Sequence, residues 1–250
     1  MDISNAFTFQ FEDKRWVNKL GVAAIIAAVP VLNFAFSGYI VDVLRNVAHR
    51  SPDPLPEWDD LGKKLSEGFI LFAAILVYTL PGLLVFCLPL ALIAVSGAFS
   101  GNENLQNLGN SIGTAGGVLF ACLLCLFLLY VLLLSIIHPA ITILFSRDGT
   151  FASCFKLRQI FDLIRRDAGR FFTAWIGYVA ATLIVGLVVA LIGGLTGWIP
   201  CIGWAIGLIL SLGSVVYIAT VYAHLFGQFA VSGADKTEEI RPLDAPLSDT

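Results

Sequence analysis

Long uncharged apolar stretches alternate with short polar segments along this chain. Four stretches carry no charged residue, at 20–41, 68–102, 104–146 and 171–234. A bilayer crossing takes about 20 apolar residues, so each stretch is long enough to cross, and the last is long enough for two crossings. Gly193, Gly194, Gly197 and Pro200 divide that last stretch. Trp198 and Trp204 flank the division, as interfacial anchors do. The pattern predicts an all-α, polytopic integral membrane helical bundle with interfacial amphipathic helices. One membrane domain is expected over residues 1–234. It holds an interfacial segment at about 1–19, a broken membrane helix or hairpin at 20–41, a loop at 42–67 and an interfacial helix at 150–170. Its spans are expected at 68–98, 113–146, 171–195 and 203–232, with kinks at Pro81 and Pro89. Residues 235–250 are polar and acidic, a tail expected to be disordered when alone.

Residues 20–41 leave two readings open. Pro30 and Asn33 sit inside the run, and proline breaks an internal helix. A re-entrant or interfacial hairpin keeps both ends on one side; an ordinary span puts the N-terminus outside. In residues 1–15, Phe7, Phe9 and Phe11, with Trp16 just beyond, read as apolar anchors for the headgroup layer. The mixture of Asp2, Glu12, Asp13, Lys14 and Arg15 is not the basic start of a cleavable signal peptide.

Charge adds an orientation. Lys14, Arg15 and Lys19 precede the first run, and Arg45, Arg50, Lys63 and Lys64 follow it. Arg147, Lys156, Arg158, Arg165, Arg166 and Arg170 lie between the third and fourth runs, and Lys236 and Arg241 follow the last. The connections at 96–110 and 193–204 have no basic residue. The positive-inside rule places the basic segments, and the C-terminus, in the cytoplasm of a prokaryotic cytoplasmic membrane. Hydrophobic residues make up 58% of the chain and charged residues 13%, half the charge of a soluble domain. The net charge of −3 offers no basic excess for nucleic acid.

Two polar segments carry the interaction candidates. Within 151–172, Leu157, Ile160, Phe161, Ile164, Ala168 and Phe171 recur at helical spacing. Lys156, Arg158, Arg165, Arg166 and Arg170 take the other face, opposed by Asp162 and Asp167. Such a helix lies flat on a leaflet, either as an elbow between spans or facing anionic lipid or an acidic partner. In the loop at 42–67, prolines favour extended backbone. Glu57, Asp59 and Asp60 then precede Lys63 and Lys64, the order a helix dipole favours. Leu61, Leu65 and Phe69 repeat at four-residue spacing and predict a short helix leading into the next span.

Chemistry is sparse. His138 and His224 lie near the basic ends of their spans, and paired intramembrane imidazoles can hold a haem or a chlorophyll-type magnesium. The blander reading is hydrogen bonding to a neighbouring helix. Cys122 and Cys125 have CxxC spacing inside a Leu- and Phe-rich run, where free cysteine behaves as an apolar packing residue. No catalytic or metal site is expected. Ser211 has no base near it in sequence. Gly113 with Gly117, and Gly203 with Gly207, have the spacing that lets helices approach closely.

Gly38-Tyr39, the segment Pro54-Leu55-Pro56-Glu57-Trp58-Asp59-Asp60, and Leu225 to Gln228 together resemble a family of polytopic membrane proteins of bacteria and archaea, a domain of unknown function. The resemblance runs over roughly residues 8–232 and implies that the loop motif belongs to a shared architecture. Physically, Trp58 could anchor at the inner headgroups, and Glu57 and Asp59 could pair with arginines of the 156–170 helix. The expected function is non-enzymatic, a structural or accessory subunit or scaffold of a membrane complex, with membrane lipids and other membrane subunits as partners and no cofactor. A small permease or channel-like transporter is the alternative, and a tetrapyrrole-binding accessory subunit of a respiratory or photosynthetic complex the second.

Overall fold

The structure is a computed structural model that describes residues 2–99 and 105–239, with side chains as far as Val231. The described residues are mostly helical, without a strand. The element order is α1 (Ile3–Thr8), α2 (Trp16–Ala28), α3 (Asn33–Ala48), α4 (Leu61–Phe99), α5 (Gln106–Asp148), α6 (Leu157–Arg166), α7 (Ala168–Thr196) and α8 (Ile202–Glu239). Short 3-10 turns occupy Phe9–Phe11 and Phe151–Phe155. Among the described residues, four helices are long and apolar enough to cross a membrane: α4, α5, α7, and α8 over Ile202–Val231. Of the connection expected at 96–110, residues 100–104 lie outside the described residues, as does the tail beyond 239; α4 and α5 take up nearly all the rest of that connection.

Each span continues past its apolar run. Asp60 starts α4 by accepting from the Lys63 N–H at 3.1 Å, and Asp167 starts α7 by accepting from the Arg170 N–H. A capping carboxylate satisfies an amide that the first turn leaves unpaired. Pro81 and Pro89 lie inside α4 without ending it. The 42–67 loop is shorter than expected, because α3 runs to Ala48 and α4 starts at Leu61. The 20–41 run is broken at Val29–Leu32, between α2 and α3. At 1.5 Å per residue, neither helix reaches across a ~30 Å hydrocarbon core.

The chain divides into two compact units, Met1–Phe72 with Ala140–Thr250, and Ala73–Pro139. The second is an antiparallel helical hairpin. Phe86 packs on Phe120 and Phe127. Gly113 and Gly116 lie against Ser96 and Ile93. The Tyr130 hydroxyl donates to Tyr78 O, next to the carbonyl whose usual donor is missing at Pro81.

The first unit holds the large buried side chains: Tyr39, Leu44, Phe145, Phe171, Leu225 and Phe226 are fully enclosed. Its centre is α3, which meets two helices through glycine. A Cβ on Gly68 would stand 1.7 Å from Phe34 O, and one on Gly38 would stand 2.0 Å from Lys64 O. No other residue permits that backbone contact between α3 and α4. Gly227 of α8 lies in the same way against Val47 and Leu44 O. The face of α4 that turns inward is therefore Lys64, Gly68 and Leu71. The repeat Leu61, Leu65 and Phe69 lies away from that contact, with Leu61 and Phe69 about half exposed. Backbone contact at glycine outweighs side-chain apolarity in setting the helix's rotation.

Candidate interaction site at the polar end

The helix ends of the first unit gather with the N-terminal segment into a polar end built from ion pairs. Asp13, three residues before α2, holds Lys19 of its first turn at 2.7 Å, and both side chains are buried. Lys19 Nζ also donates to Leu55 O at 2.7 Å and lies 3.1 Å from Glu57. Burial alone would pull the Lys19 ammonium down, but hydrogen bonds to Asp13 and Glu57 outweigh it, and the net shift is upward. Burial likewise pushes the Asp13 carboxyl up; the Lys19 ammonium and the Arg15 N–H overcome it and leave it below the usual range. A charge leaves water only when so paired.

The loop motif closes on this pair. Leu55 is buried and supplies the carbonyl. The Trp58 ring stacks on Tyr39 at 4.4 Å, nearly parallel, and its Nε1–H donates to Lys19 O at 2.9 Å. Trp58 is thus a bolt between α2 and α3 as well as a half-buried ring near the surface. Pro54 O accepts from Asn46. Glu57 pairs with Arg15 at 2.5 Å in addition to Lys19. Asp59 pairs with Lys64 at 3.5 Å, and Lys64 reaches Asp42 at 3.6 Å. These partners belong to α2, α4 and the N-terminal segment, and they replace the expected arginines of the 156–170 helix. The reason is proximity: the loop is anchored at Lys19, so its acids meet the cations beside it.

Beside this lies a second junction. Arg45 of α3 donates to Asp42 at 2.6 Å, to Glu67 at 3.4 Å and to Ser146 O at 3.0 Å, joining α3, α4 and the end of α5. Arg147 donates to Ala230 O, and Tyr222 of α8 donates to Thr142 of α5 at 3.0 Å.

His224 lies in the first unit and His138 in the second. Phe9 stacks on His224 with centroids 4.2 Å apart, so Phe9 is a core residue where a headgroup anchor was expected. Gln10 accepts from Thr220 at 2.6 Å. Sequence reasoning missed both, because a lone Gln among aromatics carries no burial signal. Gln228 clamps the N-terminal segment: Oε1 accepts from the Asp2 N–H at 2.8 Å, and Nε2 donates to Asp2 O at 3.1 Å. That fixes the amide, so its Nε2 also donates to His224 Nδ1 at 3.1 Å. The imidazole proton is then on the other nitrogen, which is the reverse of what a metal ligand through that nitrogen needs. His224 and Gln228 line a cavity of about 310 Å³ with Arg50, Ser51 and Asp53, a wall of mixed charge.

The interfacial helix is shorter than its sequence stripe. α6 spans Leu157–Arg166 and α7 begins at Ala168. Ile160, Leu163 and Ile164 are buried, as is Phe171 beyond the break, whereas Leu157 and Phe161 are exposed. Lys156 pairs with Asp148, and Arg170 with Asp167. All five cysteines are free thiols, and Cys122 and Cys125 are exposed, where packing residues were expected; a thiol is apolar enough to face lipid as readily as protein.

Four apolar spanning helices and an ion-paired polar end define a polytopic helical membrane protein. The motif residues named above are the ones that close its polar end. The chain belongs to the family described as "Protein of unknown function (DUF4013)", whose model matches residues 21–197. The match takes in Gly38-Tyr39 and residues 54–60; Leu225 to Gln228 fall outside it. No curated protein and no solved structure matches the chain.

Proposed function

We propose that this protein is a non-enzymatic structural subunit, a scaffold, of an assembly in a prokaryotic cytoplasmic membrane. The observation that carries the reading is how little of each span is covered. Only 6–17% of the most apolar window of each spanning helix is buried within the protein. The fold's own core lies at the polar end, and the spans leave broad apolar faces to lipid and to other helices. A Cβ added at Gly186, Gly193, Gly194, Gly207 or Gly213 would meet no neighbouring element within 4 Å, and small residues let a second helix approach. The basic residues gather at the polar end, which supports a cytoplasmic polar end and C-terminus.

Site-specific photo-crosslinkers at Leu187, Leu208 and Leu128, all exposed, test this in intact membranes. A discrete protein adduct from one of these faces, absent from the others, is expected. Lipid adducts alone at all three positions would remove the scaffold reading.

A further inference from the structure

We infer that α6 is a binding site for anionic lipid headgroups, formed by Arg158 and Arg165 beside an apolar strip of Leu157 and Phe161. α6 lies between the end of α5 at Asp148 and the start of α7 at Ala168, both spanning helices, so it runs at the level of the bilayer surface. At about 100° per residue the helix has three sides. Ile160, Leu163 and Ile164 face the protein and are buried. Leu157 and Phe161 share the next side and are 49% and 43% exposed. Arg158 and Arg165 share the side after that.

An exposed apolar strip bordered by cations, at membrane depth, is what an acyl boundary and its headgroups cover. The cations are available. Arg165 has no acidic partner among the described residues, and the Arg158 side chain is 96% exposed, with Asp162 at the outer limit of 4.0 Å. Lys19, Lys64 and Arg45 differ, because their charges are spent inside the protein. Residues 147–170 hold six Lys or Arg against three Asp, in a chain of net charge −3. That local excess selects a negatively charged leaflet over a zwitterionic one.

The test uses the full-length protein in nanodiscs of phosphatidylcholine, alone or with an equal part of phosphatidylglycerol, and reads hydrogen exchange of the 157–166 amides. Exchange is expected to slow by roughly tenfold in the anionic discs. The slowing is expected to vanish in the Arg158→Gln/Arg165→Gln variant and in high salt. Leu157→Ser/Phe161→Ser is expected to exchange fast in both lipids. Equal exchange in the two lipids overturns the inference. So does slowing that survives in the double glutamine variant. Slowing by inorganic phosphate added to phosphatidylcholine discs, or slowing that appears only with two copies per disc, assigns the face to another occupant and overturns it as well. Amide protection across α7, measured in the same samples, shows that each variant is folded.

Discussion

The two halves of the apolar part of α8 both lack a charged residue and have two surroundings. From Val216 to Ala230 the helix is largely enclosed, with Thr220, His224, Leu225 and Phe226 all buried. From Ile202 to Val215 it is open, with Trp204 and Ile209 80% and 70% exposed. Hydrocarbon and protein interior are about equally apolar, so apolarity alone does not drive helices together in a bilayer. What distinguishes the inner half is specific contact: a glycine at 227 that admits α3, a stack of His224 on Phe9, and hydroxyl bonds from Thr220 and Tyr222. The polar end is folded by such contacts, and the outer halves by their solvent.

Substitutions at the two ends should therefore differ in kind. Gly68→Val should have the largest effect, because its Cβ would meet Phe34 O. We expect a loss of more than about 4 kcal/mol, read as failure to purify a folded monodisperse protein. Gly186→Ala, in open space, should stay within about 1 kcal/mol. Trp58→Ala should cost about 3 kcal/mol in thermal unfolding, through the lost Tyr39 stack and the Lys19 carbonyl bond. Trp204→Ala, on the open half of α8, should lie within about 0.5 kcal/mol.

Lys19→Met should cost about 2 kcal/mol, since it leaves Asp13 buried without its cation. It also has a pH signature. Lys19 is raised in the folded state, so its contribution is complete below the unfolded lysine value of about 10.4 and is lost as pH rises through the higher folded value. Asp13 is lowered, so its contribution is present above the ordinary carboxylate range and is lost as pH falls through the folded value. Wild type should lose melting temperature at both extremes, and Lys19→Met should show shallower limbs at each. The smallest effect should come from Tyr39→Phe. The Tyr39 hydroxyl is buried without a partner among the described residues, so its removal should be neutral or stabilise by about 1 kcal/mol. A clear destabilisation would reveal a partner for that oxygen.

The spans were legible in the sequence because absence of charge over a sufficient length is a direct statement about solvent. Their ends were less so: α4 begins at Leu61 and α7 at Ala168, earlier than the apolar runs, because Asp60 and Asp167 cap them. The importance of residues 54–60 was legible from their resemblance to a family motif, but not their partners. Lys19 looked like a flanking charge of an apolar run, and only the fold shows it enclosed between Asp13 and the loop. Leu61, Leu65 and Phe69 marked the helical start of α4 but not its rotation, since near lipid an apolar stripe can face outward. Gly38 and Gly68 gave the decisive cue, but which helix a glycine admits is a tertiary fact.

The contrast between the enclosed polar end and the open spans can be measured with native tryptophans. Two single-tryptophan proteins, one keeping Trp204 and one keeping Trp58, are reconstituted in vesicles of lipids brominated along the acyl chain. That contrast predicts strong quenching of Trp204 and little quenching of Trp58, which stacks on Tyr39. Equal quenching of the two, or stronger quenching of Trp58, would contradict it.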